Sequence, residues 1–289
     1  MKAVYLSSNV TLPGSPDRRS DAFEHDHMMD ALRPAFADEG IELVDLAWDD
    51  ETVDWADYAA VIIGTAWDYW DRHEEFLTKL EEIAAVTRLA NSPELVRWNS
   101  HKKYLRDMEA RGAQLIPTLW IDEMTNEKAR AAFDHFQSDD LVFKRQVSAG
   151  ADGQIRLKRG EAIPVMPHAM MVQPFLKAIL EEGEFSFIFI NGELSHALSK
   201  HAAAGDYRIQ STYGGTERIL DPSAEDIAAA TAILSTLPSQ PLYARVDMLR
   251  SGENLFLMEV ELIEPFLYPH QGPDLGPRLA KAVRQRVGH

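Results

Sequence analysis

A charged segment near the C-terminus has the residue types and spacing of a metal site. Residues 243–262 alternate apolar and charged positions on both sides of an Arg-Ser-Gly-Glu-Asn cluster, which predicts a β-hairpin. If Asp247 lies opposite Glu259, then Arg245 lies opposite Glu261, and all four side chains share one face. Opposed Cβ atoms are about 4.5–5.5 Å apart. Three carboxylates at such short distances repel one another and need a cation, and the usual one is a divalent ion bound through oxygen atoms.

A purely structural interpretation of this hairpin also stands. Arg245 could neutralise the carboxylates and leave a solvated sheet face, because cross-strand ion pairs are common. In both cases the opposite face of the hairpin is predicted to belong to the core. Its members are Ala244, Val246, Met248, Met258, Val260 and Leu262.

Basic residues that precede the hairpin could bind an anion. They are Lys102, Lys144, Lys200 and Arg208. Lys144 follows Leu-Val-Phe and precedes a loop of small residues at 147–153, so it could clamp a phosphate, or simply be an exposed lysine at a strand end. Lys102 is predicted in the first turn of a helix, where free N–H groups also favour an anion; the alternative is a flexible surface side chain.

Composition narrows the class of protein. The chain has 289 residues, 45% of them hydrophobic, with a formal charge of −17 and no cysteine. This length allows two compact domains, or one large domain with a subdomain. The acidic balance opposes nucleic-acid binding. Without cysteine there is no disulfide or thiolate site, which agrees with a cytoplasmic location. No targeting segment or membrane span is predicted.

Periodicity predicts the elements that position these residues. The first ~95 residues alternate strand and helix patterns, as in a small α/β sandwich. Asn99 or Ser100 is predicted to cap a helix that runs to Gly112. His25 and His27 lie two apart on the first helix, so they point to different faces and are predicted to be surface residues. A later hairpin with an Asn-Gly turn at 191–192 is predicted to have a type I′ turn.

The order of these segments resembles the ATP-grasp superfamily over about residues 95–275. Each motif that carries the resemblance is weak by itself, but their order along the chain is specific. The motifs are Asn99-Ser-His-Lys-Lys-Tyr-Leu105, Val142-Phe-Lys144 with Ser148-Ala-Gly150, Val172-Gln-Pro-Phe-Leu176, Gly183-Glu-Phe-Ser186, Arg245-Val-Asp247 and Glu259-Val-Glu261. Further segments between residues 183 and 215 are similar to a subgroup that includes the cycloserine ring-forming ligase.

The resemblance implies a fold and a division into domains. The fold class is α/β (α+β overall), with an N-terminal α/β sandwich at 1–95, a small α+β lid at 96–175 and a C-terminal domain with an antiparallel sheet at 176–289. Substrate selection is expected from the N-terminal domain and from the loops around Trp67–Tyr69 and Tyr213–Gly215.

The resemblance also implies a role for each matching residue. Lys102, Lys144 and Lys200 would hold ATP, with the two first-named lysines on its phosphates. Gln173, Phe175 and Leu176 would frame adenine, and Glu184 would accept the ribose hydroxyls. Asp247, Glu259 and Glu261 would bind two Mg²⁺ ions, with Mn²⁺ as an alternative. Arg245, Arg208 and Lys144 would act in catalysis by stabilising the transferring phosphate.

Two positions depart from the family pattern. Glu261 stands where the family usually has Asn, which adds a negative charge to the metal site. Gly64-Thr-Ala66 precedes Trp-Asp-Tyr where the subgroup often has Arg. An anchor for the substrate carboxylate is therefore missing or supplied by another residue.

The predicted function is ATP- and Mg-dependent ligation of a small-molecule carboxylate to an amine or a related nitrogen nucleophile. Neither substrate is named by the sequence, and a homodimer is one option for assembly. A small-molecule kinase with the same ATP site and a non-catalytic nucleotide-binding module are the alternatives.

Overall fold

The N-terminal part of the molecule is a parallel sheet flanked by helices. A computed structural model describes residues 1–147, 153–209 and 213–288. The first sheet has the strand order β2-β1-β3-β4, and every pair in it is parallel. Its elements are β1 (Lys2–Ser7), α1 (Phe23–Asp38), β2 (Glu42–Ala47), a 3₁₀ turn (Trp55–Asp57), β3 (Ala60–Ile63), α2 (His73–Val86) and β4 (Arg88–Ala90). Two short helices follow, α3 (Pro93–Asn99) and α4 (Tyr104–Ala110).

The second sheet is small and antiparallel, with the strand order β5-β8-β6-β7. Its elements are β5 (Leu119–Ile121), α5 (Asn126–Phe136), β6 (Asp140–Arg145), β7 (Ile155–Lys158) and β8 (Met170–Pro174). Helix α5 buries Phe133 against Phe143 of β6. Lys144 follows Phe143 directly, so the packing of β6 fixes the position of that lysine.

The third sheet is antiparallel and has the strand order β11-β10-β9-β12-β13. Its elements are α6 (Ala178–Glu181), β9 (Glu184–Ile190), β10 (Glu193–His201), β11 (Thr216–Leu220), α7 (Ala224–Leu234), β12 (Tyr243–Ser251), β13 (Asn254–Glu261) and α8 (Leu275–Val287). The mixed α/β class is confirmed, while the predicted boundaries at 95 and 175 stay predictions.

The two faces of the third sheet differ in polarity. One face is apolar, and its phenylalanines Phe185, Phe187 and Phe189 pack in one core cluster. On the other face, Ile188 and Leu198 join the core that contains buried residues of α1 and α8. The rest of that face carries buried charged residues, which is the region expected to do chemistry.

The turn between β9 and β10 has the predicted geometry. Asn191 has φ of 51° and Gly192 has φ of 86°, and positive φ at both central residues defines a type I′ turn. This turn sets the register that places Glu184 opposite Lys200.

The predicted helix from Asn99 or Ser100 to Gly112 is wrong. Asn99 is the last residue of α3, and α4 begins only at Tyr104. The Asn99 side chain instead bonds the backbone of β13, and the backbone N–H of Lys102 donates to the carbonyl of Gln146. These tertiary hydrogen bonds outweigh the local capping preference, so Lys102 lies in a turn rather than in the first turn of a helix.

Two smaller predictions are also wrong. The register shifts after Asp247, so that Met248 pairs with Leu257; Leu257 is therefore buried in the core, and Met258 is only half-buried. His25 is fully buried rather than at the surface, because its ring bridges the Thr65 hydroxyl and the Asp45 carboxylate at 2.7 and 3.0 Å. Among the described residues, no helix is long and apolar enough to cross a bilayer.

Candidate active site

The predicted register of the charged hairpin is confirmed. Asp247 pairs with Glu259 and Arg245 pairs with Glu261, so strands β12 and β13 present all four side chains on one face of the sheet. Asp247 also lies opposite Ser186 of β9. The Ser186 hydroxyl donates a hydrogen bond to Asp247 Oδ1 at 2.5 Å, which fixes the orientation of that carboxylate.

Arg245 is the central cation of the hairpin. Its Nη2 lies 3.0 Å from Asp247 Oδ2 and also pairs with Glu261. Its Nη1 donates to the carbonyl of Phe266 at 3.1 Å. Burial would raise the pKa of Asp247, but Arg245 and Lys200 outweigh burial and hold that pKa at about 2. Asp247 is therefore a carboxylate, the form that a metal ion requires.

A second buried ion pair lies on the neighbouring strands. Lys200 Nζ is 2.6 Å from Glu184 Oε1 and 3.3 Å from Asp247 Oδ2, and only 5% and 1% of the Lys200 and Glu184 side chains are exposed. Burial raises the pKa of Glu184 to about 7, against the opposing effect of Lys200. Burial lowers the pKa of Lys200, but Asp247 and Glu184 raise it by more, so this lysine stays charged.

Two further lysines complete the charged face. Lys102 Nζ pairs with Glu259 Oε1. Lys144, at the end of β6, has no ion pair or side-chain hydrogen bond among the described residues, and burial lowers its pKa against the opposing charge of Glu259. Its ammonium group is thus available to an anion. The small-residue loop that follows lies largely outside the described residues, which resume at Gly153.

Side chains from α3 and α4 cover the free edge of β13. Asn99 Nδ2 donates to the Val260 carbonyl at 2.9 Å, and Asn99 Oδ1 accepts from the Leu262 N–H at 3.1 Å. The Tyr104 hydroxyl accepts from the Val260 N–H at 2.8 Å. These bonds flank Glu259 and Glu261 on the strand, and the same segment delivers Lys102.

Carboxylate oxygens are the donors that Mg²⁺ prefers, so the residue types of the hairpin suit it. Among the described residues, however, no three acidic or histidine side chains converge as a ready metal site. Glu259 and Glu261 are instead engaged by Lys102 and Arg245. A metal ion would have to compete with these basic groups for the same oxygens.

The residues expected to frame adenine lie along β8 and just after it. Gln173 is buried, and its Nε2 donates to the Thr118 hydroxyl at 2.9 Å. The Phe175 ring lies under the Arg156 guanidinium, 3.4 Å from its centroid. Leu176 is half-buried. With the Gln173 and Phe175 side chains already engaged, backbone groups are what this segment can offer a base.

Arg208 is not brought to the charged hairpin by a direct contact. Within the described residues its ion pair is with Asp206, at 2.7 Å, and its guanidinium lies 3.7 Å from the centroid of the Tyr213 ring. Residues 210–212, between Arg208 and Tyr213, lie outside the described part. The catalytic role of Arg208 stays a prediction.

The structure adds a carboxylate that the sequence did not single out. Glu264 lies in the loop after β13, and its carbonyl accepts the Trp67 Nε1–H at 3.1 Å. Burial, together with the charges of Glu264, Glu261 and Glu259, raises the pKa of the nearby Tyr69 hydroxyl. The Trp67–Tyr69 loop, expected to select the substrate, therefore adjoins the charged hairpin. A loop residue has no periodicity that could have marked Glu264 in advance.

Comparison with known proteins identifies relatives over nearly the whole chain. Residues 6–91 match the N-terminal domain family of the D-cycloserine synthetase DcsG. The cycloserine biosynthesis protein DcsG of Streptomyces lavendulae is 29% identical over 284 residues, covering 91% of this chain and 94% of that protein. The crystal structure of D-cycloserine synthetase DcsG superposes with a TM-score of 0.83 at 26% identity, covering 99% of this chain and 100% of the other.

More distant solved structures share the fold. D-alanine–D-alanine ligase from Bacillus anthracis superposes with a TM-score of 0.69 at 14% identity, over 99% of this chain and 97% of that chain. The ATP-grasp ligase PsnB, in a structure with a phosphomimetic variant of its minimal precursor, Mg and ADP, superposes with a TM-score of 0.65 at 16% identity, over 99% of this chain and 98% of that chain. Over nearly its whole length the chain is therefore similar to the D-cycloserine synthetase DcsG, and it shares the fold of D-alanine–D-alanine ligase and of the ATP-grasp ligase PsnB.

Proposed function

We propose that this ATP-grasp ligase activates a small-molecule carboxylate as an acylphosphate and transfers the acyl group to a nitrogen nucleophile. The carboxylate oxygen attacks the γ-phosphorus of ATP, and ADP leaves with the electrons of the broken P–O bond. The nitrogen then attacks the acyl carbon, the C–O bond breaks, and phosphate leaves. Activation is required because a free carboxylate is a poor acyl donor.

The observation that carries this proposal is the pairing of opposite charges on one half of a sheet face. Lys102, Lys200 and Arg245 are all held by carboxylates of that face. Lys144 adds an ammonium group without such a partner among the described residues. Preorganised charges of both signs suit phosphoryl transfer, in which the protein positions groups and stabilises charge.

Each residue has a proposed part in this reaction. ATP is bound by Lys102, Lys144 and Lys200, its base is framed by Gln173, Phe175 and Leu176, and its ribose hydroxyls donate to Glu184. Two Mg²⁺ ions, or Mn²⁺, would be held by Asp247, Glu259 and Glu261. The transferring phosphate is stabilised by Arg245, Arg208 and Lys144. Bound metal would act as a Lewis acid on the phosphate oxygens. We further propose that the enzyme acts in the cytoplasm, where ATP is abundant. Its assembly is either a monomer or a homodimer.

The cycloserine synthetase activity of the DcsG relatives suggests the class of nucleophile. Cycloserine is a ring in which the carboxyl carbon is bonded to a nitrogen that also bears oxygen. Opening that bond gives β-aminooxyalanine, so we propose aminooxy acids as the first substrates to examine. An intramolecular ring closure and a ligation of two molecules use the same activated acid.

The test supplies Mg-ATP with a panel of acids: D- and L-β-aminooxyalanine, D- and L-alanine, and D- and L-serine, each with and without hydroxylamine. The expected result is acid-dependent ADP release together with a new amide or hydroxamate. Asp247→Ala is expected to lower turnover roughly 100-fold or more, as loss of a key electrostatic contact does. A stable phosphorylated product that does not react with hydroxylamine would indicate a kinase instead.

A further inference from the structure

The loop at Trp67–Tyr69 begins at the topological switch point of the first sheet. In the order β2-β1-β3-β4, the chain moves to one side of β1 for β2 and to the other side for β3. Ser8 follows β1 and Thr65 follows β3, so both lie at the carboxyl ends of the two strands that flank this point. Open parallel sheets bind their ligands there.

Hydrogen bonds converge on Thr65, just behind the loop. Its carbonyl accepts from the hydroxyl groups of Ser8, at 3.2 Å, and Thr11, at 2.9 Å. Its own hydroxyl lies 2.7 Å from His25 Nδ1. All four residues are fully buried. A residue whose backbone and side chain are both engaged away from water is held in one position.

His25 connects Thr65 to the far side of the sheet. Its Nε2 lies 3.0 Å from Asp45 Oδ2 on β2, and Asp45 also pairs with Arg33 of α1. The hydrogen bond from His25 lowers the pKa of Asp45 to about 2 against the effect of burial, so this carboxylate accepts and does not donate. Asp45 thereby keeps a proton on Nε2 and leaves Nδ1 of the neutral ring to accept from the Thr65 hydroxyl.

The order Asp45–His25–Thr65 is that of a nucleophile with its base and the carboxylate that orients the base. Reaction at Thr65 is excluded by its position, because its side chain is fully buried and a substrate cannot reach it. The same geometry is suited to holding the chain that follows Thr65. These three residues therefore orient the loop rather than react.

The exposed side of the loop reaches toward the charged hairpin. Trp67, two residues after Thr65, donates from Nε1 to the Glu264 carbonyl at 3.1 Å. Asp68 Oδ1 accepts from Trp48 Nε1 at 2.8 Å. Trp67 and Asp68 are half-buried, whereas the preceding residues are fully buried. A shift of Thr65 is thus transmitted to the surface that faces the hairpin.

We propose that His25, acting through Thr65, is a positioning residue for the acid substrate. It fixes the Trp67–Tyr69 loop as the wall that holds the acid at the correct distance from the charged hairpin. This inference rests on the proposed function. Because His25 and Thr65 are fully buried, they touch neither the acid nor ATP. A displacement of about 1 Å in a positioned substrate can lower the rate ~100-fold.

The test uses Thr65→Val, which keeps the shape of the side chain and removes its hydroxyl group, and Thr65→Ser, which keeps the hydroxyl. Thr236→Val is the control, because it removes another buried hydroxyl, bonded to the Ile233 carbonyl at 2.7 Å, away from this loop. The acid is the one that turns over in the panel above. Thr65→Val is expected to lower kcat/KM for the acid about 10- to 100-fold. The KM for ATP should stay within about 2-fold in all three variants, and the other two should keep kcat/KM for the acid within about 3-fold.

His25→Leu tests whether the two residues act as one unit. It is expected to lower kcat/KM for the acid by the same factor as Thr65→Val, and the double variant should lose little more than either single variant. Asp45→Asn is the milder change, because Asp45 is partly exposed. It should lower kcat/KM about 3- to 10-fold and provides the measurement if the buried variants do not fold.

Three results would overturn the inference: equal losses for the acid and for ATP, a lowered Tm with unchanged kcat/KM for the acid, or losses that add in the double variant. Failure of the wild type to turn over any acid would refute the proposed function instead. Calorimetric binding of the same acids then tests the inference separately. Weaker acid binding by Thr65→Val than by the wild type would support it, and equal binding, or none by the wild type, would overturn it.

Discussion

Replacing Asn99 with alanine is expected to weaken the use of Mg²⁺ although Asn99 is not one of the proposed metal ligands. The substitution removes two hydrogen bonds, at 2.9 and 3.1 Å, to the backbone of Val260 and Leu262. Asn99 is buried, so both backbone groups lose a partner in a place where water cannot easily replace it. At about 1–3 kcal/mol for each of the two unsatisfied groups, Asn99→Ala should lower the free energy of unfolding by roughly 2–6 kcal/mol.

The functional effect follows from where these bonds lie on the strand. Val260 stands between Glu259 and Glu261, so the edge of β13 is released at the carboxylates themselves. Loss of residues that orient metal ligands typically lowers metal affinity about 10- to 100-fold. The Mg²⁺ concentration that gives half-maximal ADP release should therefore rise by a factor in that range.

The assay measures ADP release against Mg²⁺ at saturating ATP, and urea unfolding gives the stability of the same samples. Thr87→Val is the matched control, because it removes a side-chain bond to the Tyr58 carbonyl, at 2.6 Å, away from the charged hairpin. It should cost stability without moving the Mg²⁺ dependence. The reasoning fails if Asn99→Ala leaves that dependence unchanged, or if Thr87→Val shifts it equally.

Three further predictions concern stability. Lys200→Met leaves Glu184 without its cation and should lower the free energy of unfolding by roughly 3–5 kcal/mol at pH 8. The loss should be smaller at pH 6, because burial raises the Glu184 pKa to about 7 and a carboxyl group with a raised pKa destabilises the fold as pH rises. Urea unfolding at both pH values checks this, and adding Glu184→Gln should restore much of the loss. Burial lowers the pKa of His196 to about 4, so the neutral ring contributes its full stability above pH ~6.5, and this contribution falls by about 1.4 kcal/mol per pH unit toward pH 4. In thermal melts, the Tm of His196→Gln should therefore fall less steeply than that of the wild type between pH ~6.5 and ~4. An equal slope would contradict the lowered pKa of His196. Gly64→Ala would place a Cβ 2.2 Å from Cε1 of the Tyr5 ring and should cost at least about 1–3 kcal/mol; an unaltered Tm would mean that the ring moves aside freely.

The hairpin could be predicted from sequence because its chemistry follows a period of two. Once Asp247 was placed opposite Glu259, alternation alone put Arg245 and Glu261 on the same face, and the pairing agrees. Beyond Asp247 the prediction fails at Met258. Because the register shifts by one residue after Asp247, Leu257 rather than Met258 is buried in the core. Nothing in the alternation of residues marks where such a bulge begins.

Tertiary contacts account for the other differences. Asn99 has a residue type that favours helix starts, yet it ends α3 because its amide bonds the edge of β13. His25 is polar, yet it is buried because Thr65 and Asp45, distant in sequence, supply hydrogen-bond partners. Glu264 lies in a loop, where no periodicity links a side chain to a face. Local patterns therefore predict the strands well and their long-range partners poorly.

The position of β13 at the margin of its sheet has a consequence for handling the protein. An uncovered edge strand is a template for pairing with other chains. Here Asn99 and Tyr104 occupy part of that edge, and the backbone around Leu115 bridges Leu257 further along. Variants that loosen the segment between α3 and α4 should therefore tend to aggregate through β13, even where most of the fold stays intact.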